Sequence, residues 1–388
     1  MYAVLRNKTN NSYQIFIDAS NIGSGGGINH LKNILVNAPL AIKERNLEVH
    51  VWVKESIKSI LPHKKNLIYH SSLLFKLPTP LNFVWNIIVF RFLCMVKKPD
   101  YIFCPGGLIF FKHNNLTIIF QNVLPFLKKE IKRYGFFMRI KLNLIRFMLV
   151  ISSKKSQKQI FHSDNSKQII SPKITSRSSE VIPHGLEKIF NKSDIKFKKY
   201  LEDLHKKLDN NSPLKFTYVS SGEMYKNHED LLKSFSYFRE KKQDFILNLV
   251  VAGGSCSKSI LKKIDESHIR TNINLYNQLN TSELIDLVHN NTDIYLIASS
   301  CETFGLNLIE GMGSRVCVIS NNASCMPEVS GKDAIFFDVH DYKSLFNCVE
   351  NLKQNQNLIN KSIQSNFDKV DEYNWKAVSK RTFDFILS

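Results

Sequence analysis

The sequence predicts an α/β protein made of two tandem βαβ domains, each built on a parallel sheet. Three observations support this fold class. The chain has 388 residues, which is more than one hydrophobic core ordinarily organises. Apolar residues make up 43% of it, enough for a sizeable core. Each half alternates short apolar runs with helical patterns, and no internal repeat is visible.

The first half begins with the apolar run QIFIDAS at 14–20, a glycine loop at 21–27 and a helical pattern. The run LEVHVWVK at 47–54 is the next predicted strand, and shorter strands are predicted at 100–105 and 116–122. Strand, loop, helix and strand in this order are typical of a parallel sheet.

The segment SSEVIPHGLEKIF at 178–190 predicts a last strand and the crossing into a second domain. The alternation then restarts and ends in a terminal helix that carries Trp375. The predicted strands lie at 214–220, 245–254, 273–279, 293–299, 315–320 and 334–339, and the predicted helices include 228–240 and 281–290. We predict domains at residues 1–185 and 186–367, followed by the terminal helix at 368–388.

The net charge of +19 lies entirely in the first half. Residues 1–190 contain 28 Lys and Arg against 9 Asp and Glu, whereas residues 191–388 contain 25 of each kind. A one-sided positive field attracts an anionic partner, either nucleic acid or an anionic membrane. A generally basic composition would not explain the balanced second half.

Residues 126–150 are predicted to form one basic amphipathic helix. An apolar stripe is supplied by Phe136, Phe137, Ile140, Leu144 and Phe147. The predicted contacts with membrane or acceptor are Lys128, Lys129, Lys132, Arg133, Arg139 and Lys141. Such a helix suits a membrane interface, although an ordinary domain helix with a solvated basic face has the same pattern. The charge asymmetry favours the membrane.

The most apolar stretches, at 86–96 and 142–151, are too short to cross a bilayer, and the start of the chain has no long apolar segment. Seven scattered cysteines form no CxxC pair and indicate reduced thiols. We therefore expect a cytoplasmic protein, peripheral on the inner face of the cytoplasmic membrane.

Ligands of parallel sheets bind beyond the carboxyl ends of the strands, and the segment SSCETFGLNLIEGMG at 299–313 follows such an end. Glu302 is predicted in the loop and Glu310 on the next helix. The backbone N–H groups placed to hold a phosphate are those around Thr303, Phe304, Gly305 and Leu306. Two flanking carboxylates would then grip a nucleotide diphosphate sugar at both ends. The alternative is a capping acid and a solvated helix acid.

Lys226 follows another predicted strand, where a lysine can neutralise a diphosphate leaving group. Ser221 and Gly222 form a turn that could add backbone donors. His184 is predicted at the cleft between the domains. Each of these residues also has a simpler interpretation, as a surface lysine, a plain turn or a structural histidine.

The loop SGGG at 24–27 could cradle phosphate at the start of the first helix through Gly25, Gly26 and Gly27. A flexible turn is the competing interpretation. Ile28 stands where the dinucleotide fingerprint needs its third glycine, which disfavours a NAD enzyme. No D-x-D or HExxH string occurs, and no metal or other cofactor is expected.

Taken together, these segments resemble the family 4 glycosyltransferases of the GT-B fold, especially bacterial members that build O-antigen or capsular polysaccharide. The matching segments run in family order over nearly the whole chain: SGGG, QNVLPFLKKEIKRYGF, VIPHGLEKIF, YVSSGEMYKNHEDLLKSF, SSCETFGLNLIEGMGSRVCVISNNASCMPEV and the terminal helix. The resemblance implies two Rossmann-like domains facing across a cleft, with the terminal helix crossing back to the first domain.

The resemblance also implies a function. It implies retaining, metal-independent transfer of a hexose-type sugar from a nucleotide diphosphate sugar to a lipid-diphosphate-linked glycan in surface polysaccharide or lipopolysaccharide synthesis. Glu302 would bind the donor sugar, Glu310 the ribose and Lys226 the diphosphate, and no nucleic acid partner is expected. The departing diphosphate would assist the acceptor hydroxyl.

The sequence departs from the family pattern at two places. Many relatives carry an arginine after the glycine that precedes the lysine, whereas Glu223 follows Gly222 here. Many also carry a histidine where this chain has Gln121 and Asn122. Asn122 is predicted to substitute for that histidine and to complete the catalytic set with Glu302 and Lys226.

Three alternatives stay open at this point. A nucleotide-sugar epimerase or phosphorylase of the same architecture is disfavoured by the basic amphipathic helix. A nucleic-acid-binding protein would fit the charge, but no aromatic-rich RNA motif is visible. A non-catalytic membrane scaffold would tolerate the loss of both glutamates.

Overall fold

The computed structural model describes residues 12–23, 25–39, 41–42, 45–76, 84–191 and 193–388. Eight strands form a first sheet: β1 Ser12–Asp18, β2 Ala41–Ile42, β3 Arg45–Trp52, β4 Leu67–His70, β5 Tyr101–Cys104, β6 Leu116–Ile119, β7 Lys158–Phe161 and β8 Ser178–Val181. Their order is β2-β3-β1-β5-β6-β7-β8, and β4 also pairs with β3. All pairings are parallel except that of β2 with β3.

Six parallel strands form the second sheet: β9 Leu214–Ser220, β10 Phe245–Val251, β11 Ile273–Tyr276, β12 Ile294–Ile297, β13 Cys317–Asn321 and β14 Ile335–Phe337. Their order is β11-β10-β9-β12-β13-β14. The central strand β12 is buried along its whole length, because helices cover both faces of a parallel sheet. The predicted α/β fold with two parallel sheets is thereby confirmed.

The α-helices between these strands are α1 Gly26–Val36, α2 Glu55–Lys58, α3 Arg91–Lys97, α4 Lys128–Ile131, α5 Phe136–Lys155, α6 Asp164–Ile170, α7 Asp194–Asp209, α8 His228–Glu240, α9 Ser257–Asp265, α10 Thr281–Asn290, α11 Leu306–Gly313, α12 Met326–Val329, α13 Ser344–Gln354, α14 Asn357–Val370 and α15 Trp375–Leu387. A π-helix at Trp85–Phe90 leads into α3. Short 3₁₀ turns lie at Leu73–Lys76, Leu124–Phe126, Ser171–Lys173, Lys188–Phe190, Met224–Lys226 and Arg270–Asn272.

The first sheet carries a separate apolar core on each face. One core includes α1 and the buried side chains of Trp375, Phe383 and Ile386 from α15. The other includes the π-helix, α3 and α5. The second sheet has a single large core. Helix α15 thus packs on the first sheet although it ends the chain, and Ser379 Oγ donates to the Ile34 carbonyl at 2.8 Å. The domain boundaries at 185 and 367 stay a prediction.

The single helix predicted at 126–150 is wrong. The chain instead forms α4, a turn at 132–135, and α5. Tyr134 is buried in this turn, and its hydroxyl donates to Glu223 Oε2 at 3.2 Å. Arg139 closes the turn by donating to the carbonyls of Tyr134 and Lys132, each at 2.6 Å. Burying the Tyr134 ring and satisfying its hydroxyl requires a break that helical periodicity does not record.

No helix in the described part of the chain combines the length and the apolar character needed to cross a membrane.

Candidate functional site

A cavity of 260 Å³ lies between the carboxyl-end loops of the two sheets. The first half of the chain contributes Gly26, Gly27, Gln121 and His184. The second half contributes Lys226, Ser299 and every residue of the turn at 302–308, together with Tyr218, Val219 and Ile297. The two parallel sheets therefore bring together loops that are nearly 300 residues apart, at the position where such folds bind ligands.

The loop after β12 turns sharply into α11 at Gly305. Gly305 adopts a left-handed conformation with φ of 89°, and a Cβ there would lie 2.8 Å from the Met326 Cε atom. Only glycine fits both constraints. The first N–H groups of α11, which have no partner within the helix, are thereby placed beside the cavity. As predicted, Glu302 lies in the loop and Glu310 on the helix.

Lys226 and Glu302 form an ion pair inside this cavity, between Nζ and Oε1. Both side chains are largely buried. The lysine ends a 3₁₀ turn after β9, and its carbonyl accepts from Tyr218 Oη at 2.7 Å. The following residue, Asn227, has a left-handed backbone and donates to the Ala298 carbonyl at 2.7 Å. The lysine loop is therefore tied to the carboxyl end of β12.

The Lys226 ammonium is charged despite its burial. Burial by itself lowers the pKa of Lys226, but the Glu302 carboxylate beside it more than offsets this effect and raises the pKa above its ordinary value. Tyr218 contributes in the same direction. A fixed cation with low exposure to water can stabilise the negative charge of a diphosphate.

Ser324 positions the Glu302 backbone, and the sequence analysis did not identify it. The Glu302 N–H donates to Ser324 Oγ at 2.9 Å, and this hydroxyl donates to the Glu302 carbonyl at 2.8 Å. Ser324 has a left-handed backbone with φ of 58°. The only signal in the sequence is the turn-like segment NNAS after β13.

Glu310 lies outside the residues that line the cavity. Burial is the larger cause that raises the pKa of Glu310, the nearby Glu187 is the second, and together they bring this pKa to about 8. The carboxyl group is consequently protonated at neutral pH. Glu310, which the sequence predicts to bind the ribose as a carboxylate, is therefore a neutral carboxylic acid at this pH.

The two glycines of the first loop that line the cavity are closely packed, and Gly26 meets the second half of the chain. A Cβ on Gly26 would lie 2.9 Å from Leu306 Cδ1, and one on Gly27 would lie 3.0 Å from Gln121 Oε1. Gly25 adopts a left-handed backbone with φ of 60° and does not line the cavity. Ser24, the first residue of the predicted SGGG cradle, lies outside the described residues.

Ser221 and Gly222 do not line the cavity. Gly222 instead packs on the loop after β10, where an added Cβ would lie 2.6 Å from Ser257 Cα. Glu223, which replaces the arginine of many relatives, accepts from the Ser255 N–H at 2.7 Å and from the Tyr134 hydroxyl. It therefore links the two halves of the chain instead of contributing a cation.

Gln121 enters the cavity, whereas the predicted Asn122 does not. The Asn122 side chain accepts from the Leu124 N–H at 3.0 Å and caps the 3₁₀ turn there. Gln121 Nε2 is buried and has no hydrogen-bond partner among the described residues. A buried amide without a partner is costly unless a ligand satisfies it. The catalytic role of Asn122 stays a prediction.

His184 lines the cavity and belongs to a buried cluster with His30 and His162. Burial lowers the pKa of all three rings, that of His162 to about 4, so they are neutral at pH 7. Their nitrogens lie within 4.8 Å of one another and could hold a metal ion. In the structure they pair with each other, His30 Nδ1 to His184 Nδ1 at 3.1 Å. The His162 and His184 rings stack at 3.9 Å.

Hydrogen bonds join the two halves of the chain beside the cavity. Ser163 Oγ donates to the Thr303 carbonyl at 2.6 Å. Glu328 accepts from the N–H groups of Asp164 and Asn165, at 2.7 and 2.8 Å, at the start of α6. A carboxylate at a helix N-terminus is favourable because of the free N–H groups and the helix dipole. These bonds fix the Glu302–Gly305 turn against the first sheet.

The six basic residues predicted to contact membrane or acceptor divide into two groups. Arg133 is tied to Glu130 at 2.9 Å and to Ser300 Oγ at 3.4 Å, and Arg139 closes the turn described above. The remaining four are exposed, namely Lys128, Lys129, Lys132 and Lys141. The two arginines therefore have structural partners.

We expect Glu310 to destabilise the fold as the pH rises. The folded state holds the proton up to a pKa of about 8, whereas the ordinary pKa is 4.5, so the free energy of unfolding falls between these values. Urea unfolding of the wild type and Glu310→Gln at about pH 5 and about pH 9 measures the difference. The wild type should lose stability relative to the variant at the higher pH. An identical pH dependence would contradict a protonated Glu310.

Comparison with known proteins agrees with this geometry. Residues 201–368 match the family described as "Glycosyl transferases group 1". A comparison with curated proteins gave no significant match. Solved structures match along almost their whole length and that of this chain, at identities that establish only the fold.

Three of these structures are representative. Alr3699/HepE of Anabaena, in complex with UDP and glucose, is 13% identical with a TM-score of 0.66, over 96% of this chain and 99% of that one. Sucrose-phosphate synthase of Thermosynechococcus elongatus is 13% identical with a TM-score of 0.71, over 96% and 98%. WaaG, a glycosyltransferase involved in lipopolysaccharide biosynthesis, is 11% identical with a TM-score of 0.68, over 96% and 99%. The chain thus has the GT-B fold, and its residues 201–368 match the group 1 glycosyltransferase family.

Proposed function

We propose that this protein is a retaining glycosyltransferase that moves a hexose-type sugar from a nucleotide diphosphate sugar to a lipid-linked glycan. One observation carries the proposal: the buried Lys226–Glu302 ion pair beside the free N-terminus of α11, inside a cavity closed by both halves of the chain. Cation, helix N-terminus and carboxylate match the diphosphate and the sugar hydroxyls of such a donor. Two matching Anabaena structures, which contain UDP or UDP-glucose, support a nucleotide-sugar donor.

The reaction breaks the bond between the sugar C1 atom and the diphosphate oxygen and forms a bond from C1 to the acceptor oxygen. The acceptor proton passes to the departing diphosphate on the same face of the sugar. Lys226 and the N–H groups of α11 stabilise the negative charge that develops on this leaving group. Glu302, released from Lys226 as the diphosphate binds, accepts hydrogen bonds from the sugar. Glu310, which lies on α11 beyond the residues that line the cavity, binds the ribose, as the family resemblance implies.

The membrane part of the proposal is supported by the outer face of α5. The predicted apolar stripe points to solvent: Phe136 is 71% and Phe137 86% exposed, and Ile140, Leu144 and Phe147 are also exposed. The buried face of α5 uses other residues, among them Leu142 and Leu149. An ordinary domain helix would bury this stripe, whereas an interfacial helix presents it to lipid. We propose that the acceptor is approached at the inner face of the cytoplasmic membrane.

Glu302→Gln and Lys226→Met should each lower kcat by at least about 100-fold, because each removes a charged partner of the transition state. Glu202→Gln, an exposed acid of α7, is the matched control and should retain full activity. Turnover is measured by nucleotide release from UDP-, GDP- and dTDP-linked sugars with a chelator present. Folded protein that binds none of these nucleotides in calorimetry would overturn the proposal. Nucleotide binding that is lost only when the chelator is present would contradict metal-independent transfer.

Gln121→Ala should weaken binding of the intact nucleotide sugar by about 3- to 10-fold, because the buried amide loses one neutral hydrogen bond to the donor. Binding of the nucleoside diphosphate without sugar should not change. Asn122→Ala is the neighbouring control, since its side chain only caps a turn. Calorimetry with both ligands separates the two residues. A larger loss in Asn122→Ala would restore the prediction made from the sequence.

Phe137→Ser should reduce binding to lipid vesicles by about tenfold or more, because a large apolar side chain leaves the lipid interface. Ile195→Ser is the control, since Ile195 is 84% exposed but lies on α7 in the second half. Cosedimentation with vesicles measures both variants. Equal binding by Phe137→Ser and the wild type would contradict a membrane role for α5.

A further inference from the structure

We propose that a basic cavity at the amino ends of the strands of the first sheet binds the headgroup phosphate of an anionic phospholipid. Together with the apolar face of the helix beside it, the cavity would fix the orientation of the protein on a membrane. The proposal rests on the membrane-bound acceptor proposed above, but its evidence comes from a different cavity and from the π-helix and α3, not from the apolar stripe of α5.

The cavity has a volume of 590 Å³ and lies between α3, the end of α5 and the loop that follows β5. Four cations line it: Arg91, Lys98, Lys112 and Lys155. Its remaining walls include the apolar side chains of Met95 and Phe111. Cations beside apolar side chains suit a phosphate attached to a hydrocarbon chain better than a free ion.

No acid lines this cavity. None of the four cations forms an ion pair with a described carboxylate. The acid next in sequence, Asp100, accepts from the Gln14 N–H at 2.9 Å and does not line the cavity. Burial lowers the pKa of His113 on the rim, so this ring is neutral at pH 7. The positive charge is therefore available to an external anion.

The cavity is built from structured elements. The Phe110 N–H donates to Asn86 Oδ1 at 3.1 Å, and the Ile109 N–H donates to Ser152 Oγ at 2.9 Å. The loop after β5 is thereby bonded both to the π-helix that leads into α3 and to α5. His113 bridges the Pro99 carbonyl and the Asn115 N–H at 3.2 Å each. The cations therefore project from a fixed frame.

Among the described residues, the outer face of the π-helix and α3 is apolar and exposed. The exposed large side chains are Val84, Ile87, Ile88, Phe92, Met95 and Val96. Both this helix and α5 cover the same face of the first sheet, because their buried residues share one core. Contiguous exposed apolar surface of this kind is rare on soluble monomers. Cations at its edge match an anionic lipid surface.

The position of the cavity separates it from the proposed acceptor site. Pro99 precedes β5 and Lys155 precedes β7, so the cavity lies at the amino ends of these strands. The donor cavity lies at the carboxyl ends. Helix α5 has 20 residues and spans roughly 30 Å between the two ends. A lipid held in the basic cavity would anchor the protein and not serve as substrate.

The test compares two variants that lose the same charge. The cavity variant carries Arg91→Gln, Lys98→Gln, Lys112→Gln and Lys155→Gln. The matched control carries Lys198→Gln, Lys206→Gln, Lys258→Gln and Lys332→Gln, four exposed lysines of the second half. Both are measured by cosedimentation with vesicles of phosphatidylcholine, with and without phosphatidylglycerol.

The cavity variant should bind the anionic vesicles at least about 100-fold more weakly than the wild type, from roughly 1 kcal/mol per cation. The control should change by less than about tenfold, because screened distant charges contribute little. An equal loss of vesicle binding in both variants would contradict a lipid site in the cavity and would indicate only a general effect of net charge. Unchanged binding of the cavity variant would contradict that site as well.

A second measurement distinguishes a lipid from a free phosphate. Short-chain, water-soluble phosphatidylglycerol should bind the wild type saturably with one site in calorimetry, and the cavity variant should not bind it. Inorganic phosphate that binds the wild type equally well would overturn the lipid assignment.

Failure of this inference and failure of the proposed function give different results. Nucleotide binding by the cavity variant should equal that of the wild type, which also shows that the variant is folded. Normal nucleotide binding with undiminished vesicle binding overturns only the cavity. Selective loss of vesicle binding in a protein that binds no nucleotide supports the cavity and overturns only the transferase.

Discussion

The buried ion pair between Lys226 and Glu302 is the interaction around which the candidate site is arranged. Each partner ends a loop from a different strand of the second sheet, and neither charge would be tolerated there without the other. The Tyr218 and Asn227 hydrogen bonds hold the lysine loop, and Ser324 holds the glutamate. A ligand that separates this pair must give the Lys226 ammonium a new anion and the Glu302 carboxylate new hydrogen-bond donors. A nucleotide diphosphate sugar can supply both, because its diphosphate is anionic and its sugar carries hydroxyl groups.

The first half of the chain completes the site from the other side. Gly26 lies against Leu306 of the second half and Gly27 against Gln121 of the first half, so both positions leave little room for a side chain. Ser163 and the Glu328 carboxylate bind the two halves together around the Thr303 turn. Glu223, in place of a cation, adds a further link through Tyr134. Where many relatives carry a positive charge, this chain thus has a contact between its halves.

Four cations of the first half, Arg91, Lys98, Lys112 and Lys155, lie beside exposed apolar side chains of the π-helix and α3. This placement bears on a charge asymmetry that composition alone left open between nucleic acid and membrane. Phosphate-contacting nucleic-acid sites need cations but not a neighbouring row of exposed aliphatic and phenylalanine side chains. The face formed by α3 and α5 has both features, which favours lipid.

The sequence by itself determined the α/β fold, most strands of both sheets, and the placement of Glu302, Lys226 and Gly305, because these depend on local periodicity and on turns that follow apolar strands. β9, α8 and α10 were predicted to the residue. Tertiary structure decided the rest. It placed Gln121 rather than Asn122 in the cavity, raised the pKa of the half-buried Glu310, and broke the helix at 132–135 to bury Tyr134. These outcomes depend on which side chain faces a distant loop, and neither spacing nor residue type encodes a contact such as that between Tyr134 and Glu223, which are 89 residues apart.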